Sequence, residues 1–248
     1  MGPTLLENLP LHRFSEFFAL SGSEIDQLHA AAEPPIRFGR HAIIRREGES
    51  PRHVYLLSEG WVASSMLLAA GERQIVKLHL PGDLLGAASL CLTSAADTLF
   101  CLSPTLVSRV PAAAFGELMM GSPRFAARMF LSSQRERIAL MDRLASMGRS
   151  PAIARVAAML LDLADRLAAG GHGAQDGFDL RMTQEEIGDY LGLTAVHVNR
   201  VFRQLQAAGL IVRRRQRVRI VNLDGLRLRA GQSPRIFARK HEWLLRDD

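Results

Sequence analysis

The chain has 248 residues, of which 48% are hydrophobic and 23% are charged, a composition typical of a globular protein long enough for two domains. No apolar run approaches the roughly 18–20 residues of a membrane span, and no basic segment followed by an apolar block begins the chain. We therefore expect a cytoplasmic protein without a membrane partner. Only 6% of the residues are aromatic, which argues against the base stacking used to bind RNA and single strands.

The formal net charge of +6 is distributed unevenly along the chain. Residues 149–248 contain 17 basic and 11 acidic residues, whereas residues 1–148 contain 14 of each. The whole positive excess therefore lies in the C-terminal part, where it can neutralise phosphates and release counterions from a nucleic acid.

The first 121 residues are predicted to form one domain. Helical spacing predicts a helix over residues 5–32, and from Ile36 to Val110 the pattern changes to short apolar runs separated by glycines. The glycines are Gly39, Gly48, Gly60, Gly71 and Gly82. This pattern predicts an antiparallel β barrel or jelly roll, which Pro111 ends.

A long helix is predicted over residues 122–148, because Pro123 follows Ser122 and proline is favoured at the first helical position. Such a helix would be about 40 Å long. A seven-residue register predicts a seam along it for a second copy of the chain. The seam residues are Ala127, Leu131, Gln134, Ile138, Met141 and Ala145. Off the seam, Leu140, Leu144 and Met147 are expected to pack on the chain's own domains; the alternative is a core helix without a partner.

Residues 149–231 are predicted to form a second domain after a hinge at residues 148–150, followed by a tail over residues 232–248. Capping and turn signals predict a helix–turn–helix near its middle. In chain order they are a capping box at Thr183 and Glu186, a helix over Gln184–Leu191, a stop at Gly192, a cap at Thr194 and a second helix over residues 195–208. The tail is either a floppy basic extension or a small docking helix around Trp243.

The second helix has one apolar and one polar face. Its inward residues are Val198, Val201, Phe202 and Leu205, and its outward residues are His197, Asn199, Arg200 and Arg203. An exposed helix with Asn and Arg fits the DNA major groove. Two predicted strands, Leu210–Val212 and Arg217–Val221, follow and enclose a basic turn. They predict a winged helix–turn–helix, although an arginine run is more often a solvated loop.

The chain as a whole resembles the Crp–Fnr family of bacterial transcription regulators. The resemblance is carried by Glu47-Gly48, by Tyr55–Gly60, by Pro81–Gly86 and by the segment Met182–Ile211. It implies an α+β protein with an N-terminal antiparallel β-roll sensor domain, a long dimerisation helix and a C-terminal winged helix–turn–helix. It also implies RNA polymerase as a partner.

The resemblance places an effector pocket at Leu85, Gly86, Ala87, Thr98 and Leu99. Cyclic-nucleotide binders of the family have a glutamate for the ribose where Ala87 stands. They have an arginine for the cyclic phosphate within the stretch that matches Ala95–Leu99, which here contains no arginine but an acid, Asp97. Because an anionic phosphate is unfavourable beside a carboxylate, we expect an effector other than ordinary cAMP or cGMP.

At the recognition helix, Arg200 matches the family's base-reading arginine and is expected to contact guanine. We expect Asn199 to pair with adenine and His197 to reach a base or a phosphate. Val196 replaces an acidic residue of the best-known members, so a thymine methyl replaces the cytosine contact. The target is therefore a palindrome other than the best-known consensus. The expected DNA-backbone contacts are Thr183, Thr194, Arg203, Arg213, Arg214, Arg215 and Arg217.

No cofactor is firmly predicted. The family's oxygen sensors hold an iron–sulfur centre on an N-terminal cysteine cluster, and residues 1–90 contain no cysteine. Cys91 and Cys101 form either a redox switch or, as we favour, two small buried hydrophobic residues. Haem also occurs in the family, but the candidate ligands are more typical of surface or strand histidines. These candidates are His12, His29, His41, His53 and His79.

The sequence thus predicts a homodimeric, sequence-specific regulator that binds double-stranded DNA. The alternative is a ligand-sensing module that controls a protein partner through the basic domain. An enzyme is not predicted, because no phosphate loop, metal-protease or nucleophile-elbow motif occurs.

Overall fold

The structure is a computed structural model that describes residues 17, 19–170, 177–231, 235 and 237. Most of the first half of the expected N-terminal helix, including His12, lies outside these residues, as do the loop 171–176 and the tail around Trp243. The described part begins with helix α1, Gly22–Ala31, which confirms the second half of the expected helix. The Ser21 side chain caps α1 by accepting the Glu24 N–H at 3.2 Å.

The glycine-rich region forms two four-stranded antiparallel sheets, which confirms the predicted β roll. The strands are β1 (Ile36–Phe38), β2 (Ile43–Arg45), β3 (His53–Glu59), β4 (Val62–Leu67), β5 (Arg73–His79), β6 (Leu84–Leu85), β7 (Thr98–Cys101) and β8 (Thr105–Pro111). One sheet has the order β1-β8-β3-β6 and the other the order β2-β7-β4-β5. Both sheets contribute buried residues, among them Leu57, Leu85 and Leu99, to a shared core.

Two helices follow the β roll. Helix α2 covers Ala112–Gly121 and helix α3 covers Pro123–Arg149, so the long helix is confirmed with its start capped by Ser122. The fully buried Arg128 of α3 lies 3.6 Å from the Glu24 carboxylate and donates to the Ala19 carbonyl at 3.0 Å. These contacts fix the beginning of α3 against α1. Within the described part of the chain, no helix is both long enough and apolar enough to cross a bilayer.

The predicted dimer seam needs correction along α3. Leu131 is only 8% exposed, because it is buried within its own chain, and Ile138 lines an internal cavity. Of the residues expected to pack on the chain's own domains, Leu144 is 74% exposed, whereas Leu140 is 49% exposed and lines the same cavity, and Met147 is half-buried. Of the predicted seam residues, Met141 and Ala145 are exposed, whereas Ala127 and Gln134 are partly buried.

The C-terminal domain contains the predicted elements and one more. Its elements are α4 (Ala152–Ala169), β9 (Phe178–Asp179), α5 (Gln184–Leu191), α6 (Ala195–Ala207), β10 (Ile211–Arg214), β11 (Arg217–Ile220) and α7 (Leu223–Ala230). The three strands form an antiparallel sheet in the order β10-β11-β9. Helix α7 was not predicted; Asn222 caps it, and its buried Leu226 belongs to the same core as α4.

The two domains share one continuous core. Trp61, Ile75 and Leu78 of the β roll belong to the same buried cluster as Leu160 of α4 and Ile187 of α5. The structure therefore seats the C-terminal domain directly against the sheet that contains β4 and β5. The sequence did not indicate this contact.

Candidate nucleic-acid interface and effector pocket

The capping box predicted at the start of α5 is present. The Thr183 hydroxyl accepts the Glu186 N–H at 3.1 Å, and the Thr183 N–H donates to the Glu186 carboxylate at 2.6 Å. Thr194 caps α6 in a similar way by accepting the His197 N–H at 3.2 Å. Both threonines are exposed, so each lies at a helix N-terminus, which attracts phosphate groups.

The turn between α5 and α6 depends on two glycines. Gly192 has φ +64°, the left-handed conformation predicted for the end of α5. A Cβ on Gly188 would lie 2.3 Å from the Leu193 carbonyl oxygen, so any larger residue there would push the two helices apart. The role of Gly188 was not predicted, although a glycine inside an otherwise helical pattern indicates a close packing contact.

Helix α6 presents the two faces that the sequence predicted. Its buried residues are Val198, Val201, Phe202 and Leu205. On the other side Val196 is 81% exposed, Arg200 and Arg203 are exposed, and His197 and Asn199 are partly buried. A valine this exposed contributes nothing to the described core, and an arginine and an asparagine beside it offer hydrogen-bond donors to base edges.

The wing consists of β10, β11 and the turn between them, and its arginines lie on two different faces. Antiparallel pairing sets Val212 opposite Arg219 and Arg214 opposite Arg217, and all four residues are exposed. Arg213 lies on the opposite face, where its guanidinium stacks 4.3 Å from the centre of the Phe202 ring.

Arg213 therefore differs from the other wing residues predicted to hold DNA, because its side chain packs inward. Burial lowers the pKa of Arg213, and its Nε donates to the Arg215 carbonyl at 3.2 Å. Arg215 is exposed at the turn with φ +54°. Arg219, absent from the predicted set, joins the exposed face; the alternation of Arg217, Val218 and Arg219 was the signal that could have revealed it.

The residues predicted for the effector pocket divide into two groups. Leu85 and Leu99 are fully buried and belong to the core between the sheets, so their side chains do not line an open pocket. Gly86 has φ +80° and begins a short 3-10 helix, Ala87–Cys91, with Ala87 half-buried. Thr98 is half-buried, and its hydroxyl accepts the Glu47 N–H at 3.0 Å.

An arginine lies beside this pocket, but it comes from β2 and not from the stretch Ala95–Leu99, where the family's cyclic-nucleotide binders have theirs. Arg45 at the end of β2 is 2% exposed and forms an ion pair with the carboxylate of Asp97. Its Nη2 also donates to the Ser89 hydroxyl at 3.3 Å, and a Cβ on Gly86 would lie 3.1 Å from its Nη1. The expectation of an uncompensated acid at Asp97 is therefore wrong, because the fold brings a cation from another strand.

The histidines and cysteines lie on separate elements. His79 is buried and hydrogen-bonded to Ser64 at 2.8 Å, whereas His41 lies 3.2 Å from the Glu186 carboxylate. Among the described residues, no three His, Cys, Asp or Glu side chains are grouped so that they could hold a metal ion. Cys101 is buried, and burial raises the pKa of its thiol. Cys91 is exposed, so the expectation that both cysteines are buried is wrong for Cys91.

Comparisons with known proteins agree with this architecture. The family model of the cyclic nucleotide-binding domain matches residues 35–122, and that of the Crp-like helix-turn-helix domain matches residues 154–229. The transcriptional regulatory protein btr of Bordetella pertussis is 30% identical over 215 residues, which are 86% of this chain and 88% of that protein. An anaerobic regulatory protein of Haemophilus influenzae is 27% identical over 209 residues, covering 84% and 81%.

The fold also has experimentally solved counterparts. FixK2 from Bradyrhizobium japonicum superimposes with a TM-score of 0.74 at 27% identity, covering 82% of this chain and 99% of that one. A β roll of the cyclic nucleotide-binding type, a long helix and a winged helix–turn–helix define a DNA-binding protein of the regulator type. The chain belongs to the Crp–Fnr family and is a transcription regulator rather than an enzyme.

Proposed function

We propose that the protein regulates transcription as a homodimer that reads a palindromic DNA site. Support for a particular reading surface comes from the exposed face of α6. The proposed base-reading residues are Arg200, Asn199, His197 and Val196, and the exposed side chain of Val196 is the observation that carries the proposal. An exposed valine beside an arginine and an asparagine can cover a thymine methyl, which is an apolar group in the major groove.

The proposed backbone contacts come from both capped helices and the wing. Thr183 and Thr194 lie at helix N-termini, and Arg203 lies on the exposed face of α6. In the wing we propose Arg214, Arg215, Arg217 and, in addition, Arg219. Arg213 is left out because its guanidinium stacks on Phe202.

We further propose that the second copy binds along the exposed apolar face of α3. Phe130, Met141 and Leu144 are 48%, 58% and 74% exposed and recur eleven and three residues apart, which places them on one side of a helix. Two such faces in contact would remove these side chains from water and set two recognition helices on half-sites of a palindrome. RNA polymerase is a partner that only the family resemblance implies.

The effector proposed for the sensor is neither ordinary cAMP nor cGMP. Ala87 has no carboxylate for a ribose hydroxyl, and Arg45 already donates to Asp97 and Ser89, so the charge that would hold a cyclic phosphate is neutralised. An iron–sulfur centre is not proposed either, because the family's oxygen sensors hold it on an N-terminal cysteine cluster and residues 1–90 contain no cysteine.

The decisive experiment is selection of bound sequences from random DNA by the purified protein, with and without cAMP. The expected product is a two-fold symmetric site whose selection does not depend on cAMP. Arg200→Ala is then expected to lose about 1–3 kcal/mol on the selected site with little change on random DNA, because it removes a base contact.

Arg214→Ala is the matched control for Arg200→Ala. It is expected to weaken binding to both DNAs equally and to reduce the salt slope by about 1, because it removes a phosphate contact. Equal losses on both DNAs for Arg200→Ala would contradict the assigned base contact. Absence of any symmetric footprint at low salt would instead favour a basic domain that docks on a protein.

A further inference from the structure

A cavity of about 380 Å³ lies where the sensor, α3 and the DNA-binding domain meet. Its walls come from β5, the second half of α3, and helices α4, α5 and α7. Its size falls within the range of about 300–1,000 Å³ that is typical of small-molecule sites. It is separate from the effector pocket, because neither Arg45 nor any of the residues predicted for that pocket lines it.

Three arginines on the cavity wall are fixed by backbone carbonyls. Arg143 donates to two carbonyls of β5, at 2.6 and 2.7 Å. Arg155 donates to the Leu191 carbonyl at 2.7 Å, and Arg166 donates to the Leu78 carbonyl at 2.8 Å and to the Asp83 carboxylate at 2.7 Å. In each of the three the Nε atom is buried and has no hydrogen-bond partner among the described residues. Buried N–H groups on cations are stable only when an acceptor, best an anion, reaches them.

The charge of the cavity also favours an anion. Seven basic and four acidic side chains line it, which gives a formal net charge of +3. The rest of the wall is apolar and includes Ile138, Met159 and the ring of Phe237. Fixed guanidinium groups beside an apolar wall suit a ligand that has both an oxyanion and a hydrophobic body.

We propose that this cavity is a binding site for a small aromatic anion, an aryl phosphate or an aryl carboxylate. The oxyanion pairs with the guanidinium groups of Arg143 and Arg155, and the ring packs against the apolar wall. Such a ligand contacts β5 of the sensor and α4 of the DNA-binding domain at once. It therefore stabilises the arrangement in which these two domains are packed together.

Phenyl phosphate is the first probe, titrated into the full chain by isothermal titration calorimetry, with benzoate as the carboxylate arm. We expect at least one of the two to bind at one saturable site per chain. Benzyl alcohol carries the ring without the charge, and inorganic phosphate carries the charge without the ring. Both controls are expected to bind at least about tenfold more weakly than whichever of phenyl phosphate and benzoate binds, because benzyl alcohol lacks the charge and inorganic phosphate lacks the ring.

Two variants alter the cavity in different ways. Ala158→Phe fills it without changing its charge, and Arg155→Gln removes one guanidinium. Each is expected to weaken binding roughly tenfold or more. Arg149→Gln is the control, since Arg149 is an exposed arginine of α3 outside the cavity wall. Circular dichroism checks that each variant is folded, and if Arg155→Gln is not, Ala158→Phe still decides the question.

Three results would overturn the proposal. The first is no saturable binding of phenyl phosphate or benzoate at about 10 mM, a concentration above useful affinities. The second is equally tight binding of benzyl alcohol or inorganic phosphate. The third is unchanged binding in the folded cavity variants. None of these results bears on DNA binding, which is measured separately.

Discussion

Arg45 and Asp97 show at the scale of single residues how a buried charge is compensated. The Arg45 guanidinium is 2% exposed, and its position near Gly86 and Tyr55 leaves little room for water. A cation in such a place is stable only with a partner, and the Asp97 carboxylate and the Ser89 hydroxyl supply it. The pair therefore stabilises the fold and at the same time neutralises the charge that an anionic effector would need.

We predict that Asp97→Ala lowers the free energy of unfolding by about 3–5 kcal/mol, because it leaves a buried guanidinium unpaired. The double variant Arg45→Met, Asp97→Ala is expected to recover most of this loss. Urea denaturation at neutral pH measures both. The control is Arg46→Met at the exposed neighbouring position, with an expected change within about 0.5 kcal/mol. A double variant no more stable than the single variant would contradict the pairing.

At the scale of elements, α3 has two roles on two faces. One face is fixed within the chain by Arg128, Leu131 and Arg143, whereas the opposite face leaves Met141 and Leu144 exposed. The seven-residue pattern in the sequence detected a helix with apolar stripes but could not tell which stripe its own domains would cover. Leu131 was assigned to the wrong stripe for this reason.

We predict that Leu144→Glu raises the dissociation constant of the dimer on the order of 100-fold. Two symmetry-related copies of the variant each lose the burial of a leucine and gain a charge. Analytical ultracentrifugation over a range of protein concentrations measures the change. Leu228→Glu is the matched control, since Leu228 is 83% exposed and belongs to α7 rather than to α3. Equal behaviour of the two variants would refute the assigned face.

At the scale of the whole molecule, ion pairs join the sensor to the DNA-binding domain around their shared core. Arg166 of α4 lies 2.7 Å from the Asp83 carboxylate, with 12% and 3% of the two side chains exposed. Arg40 next to β2 donates to Glu186 at 3.0 Å, the same carboxylate that closes the capping box of α5. The β roll therefore contacts the first helix of the DNA-binding motif directly.

We predict a coupling free energy of about 2 kcal/mol or more between Arg166→Met and Asp83→Asn in a double-mutant cycle, because the pair is buried. Equilibrium unfolding in urea provides the four stabilities. Asp162→Asn is the control: Asp162 lies 3.3 Å from the same Arg166 but within α4, and its side chain is 47% exposed. Its coupling with Arg166 is expected to stay within about 0.5 kcal/mol. Equal coupling for both carboxylates would contradict a contact that holds the domains together.

Much of the molecule was predictable from local patterns. The capping box at Thr183, the stop at Gly192 and the inward face of α6 depend on residues three or four apart, and such contacts form within one helix or turn. The same holds for the β roll, whose turns are set by single glycines. These features predicted the exposed position of Arg200 and Val196, two of the base-reading candidates.

Other features depend on residues far apart in the chain, and only the tertiary structure decided them. The partner of Asp97 comes from β2, the cavity arginines bind carbonyls of distant elements, and the core that joins β5 to α4 has no local pattern. The sequence alone determined most of the helices and strands, with α7 as an exception, and which of their faces are apolar, because short-range hydrogen bonds and side-chain periodicity set them. The structure decided which apolar face and which charge each element meets, because packing in three dimensions selects among surfaces that are chemically equivalent in the sequence.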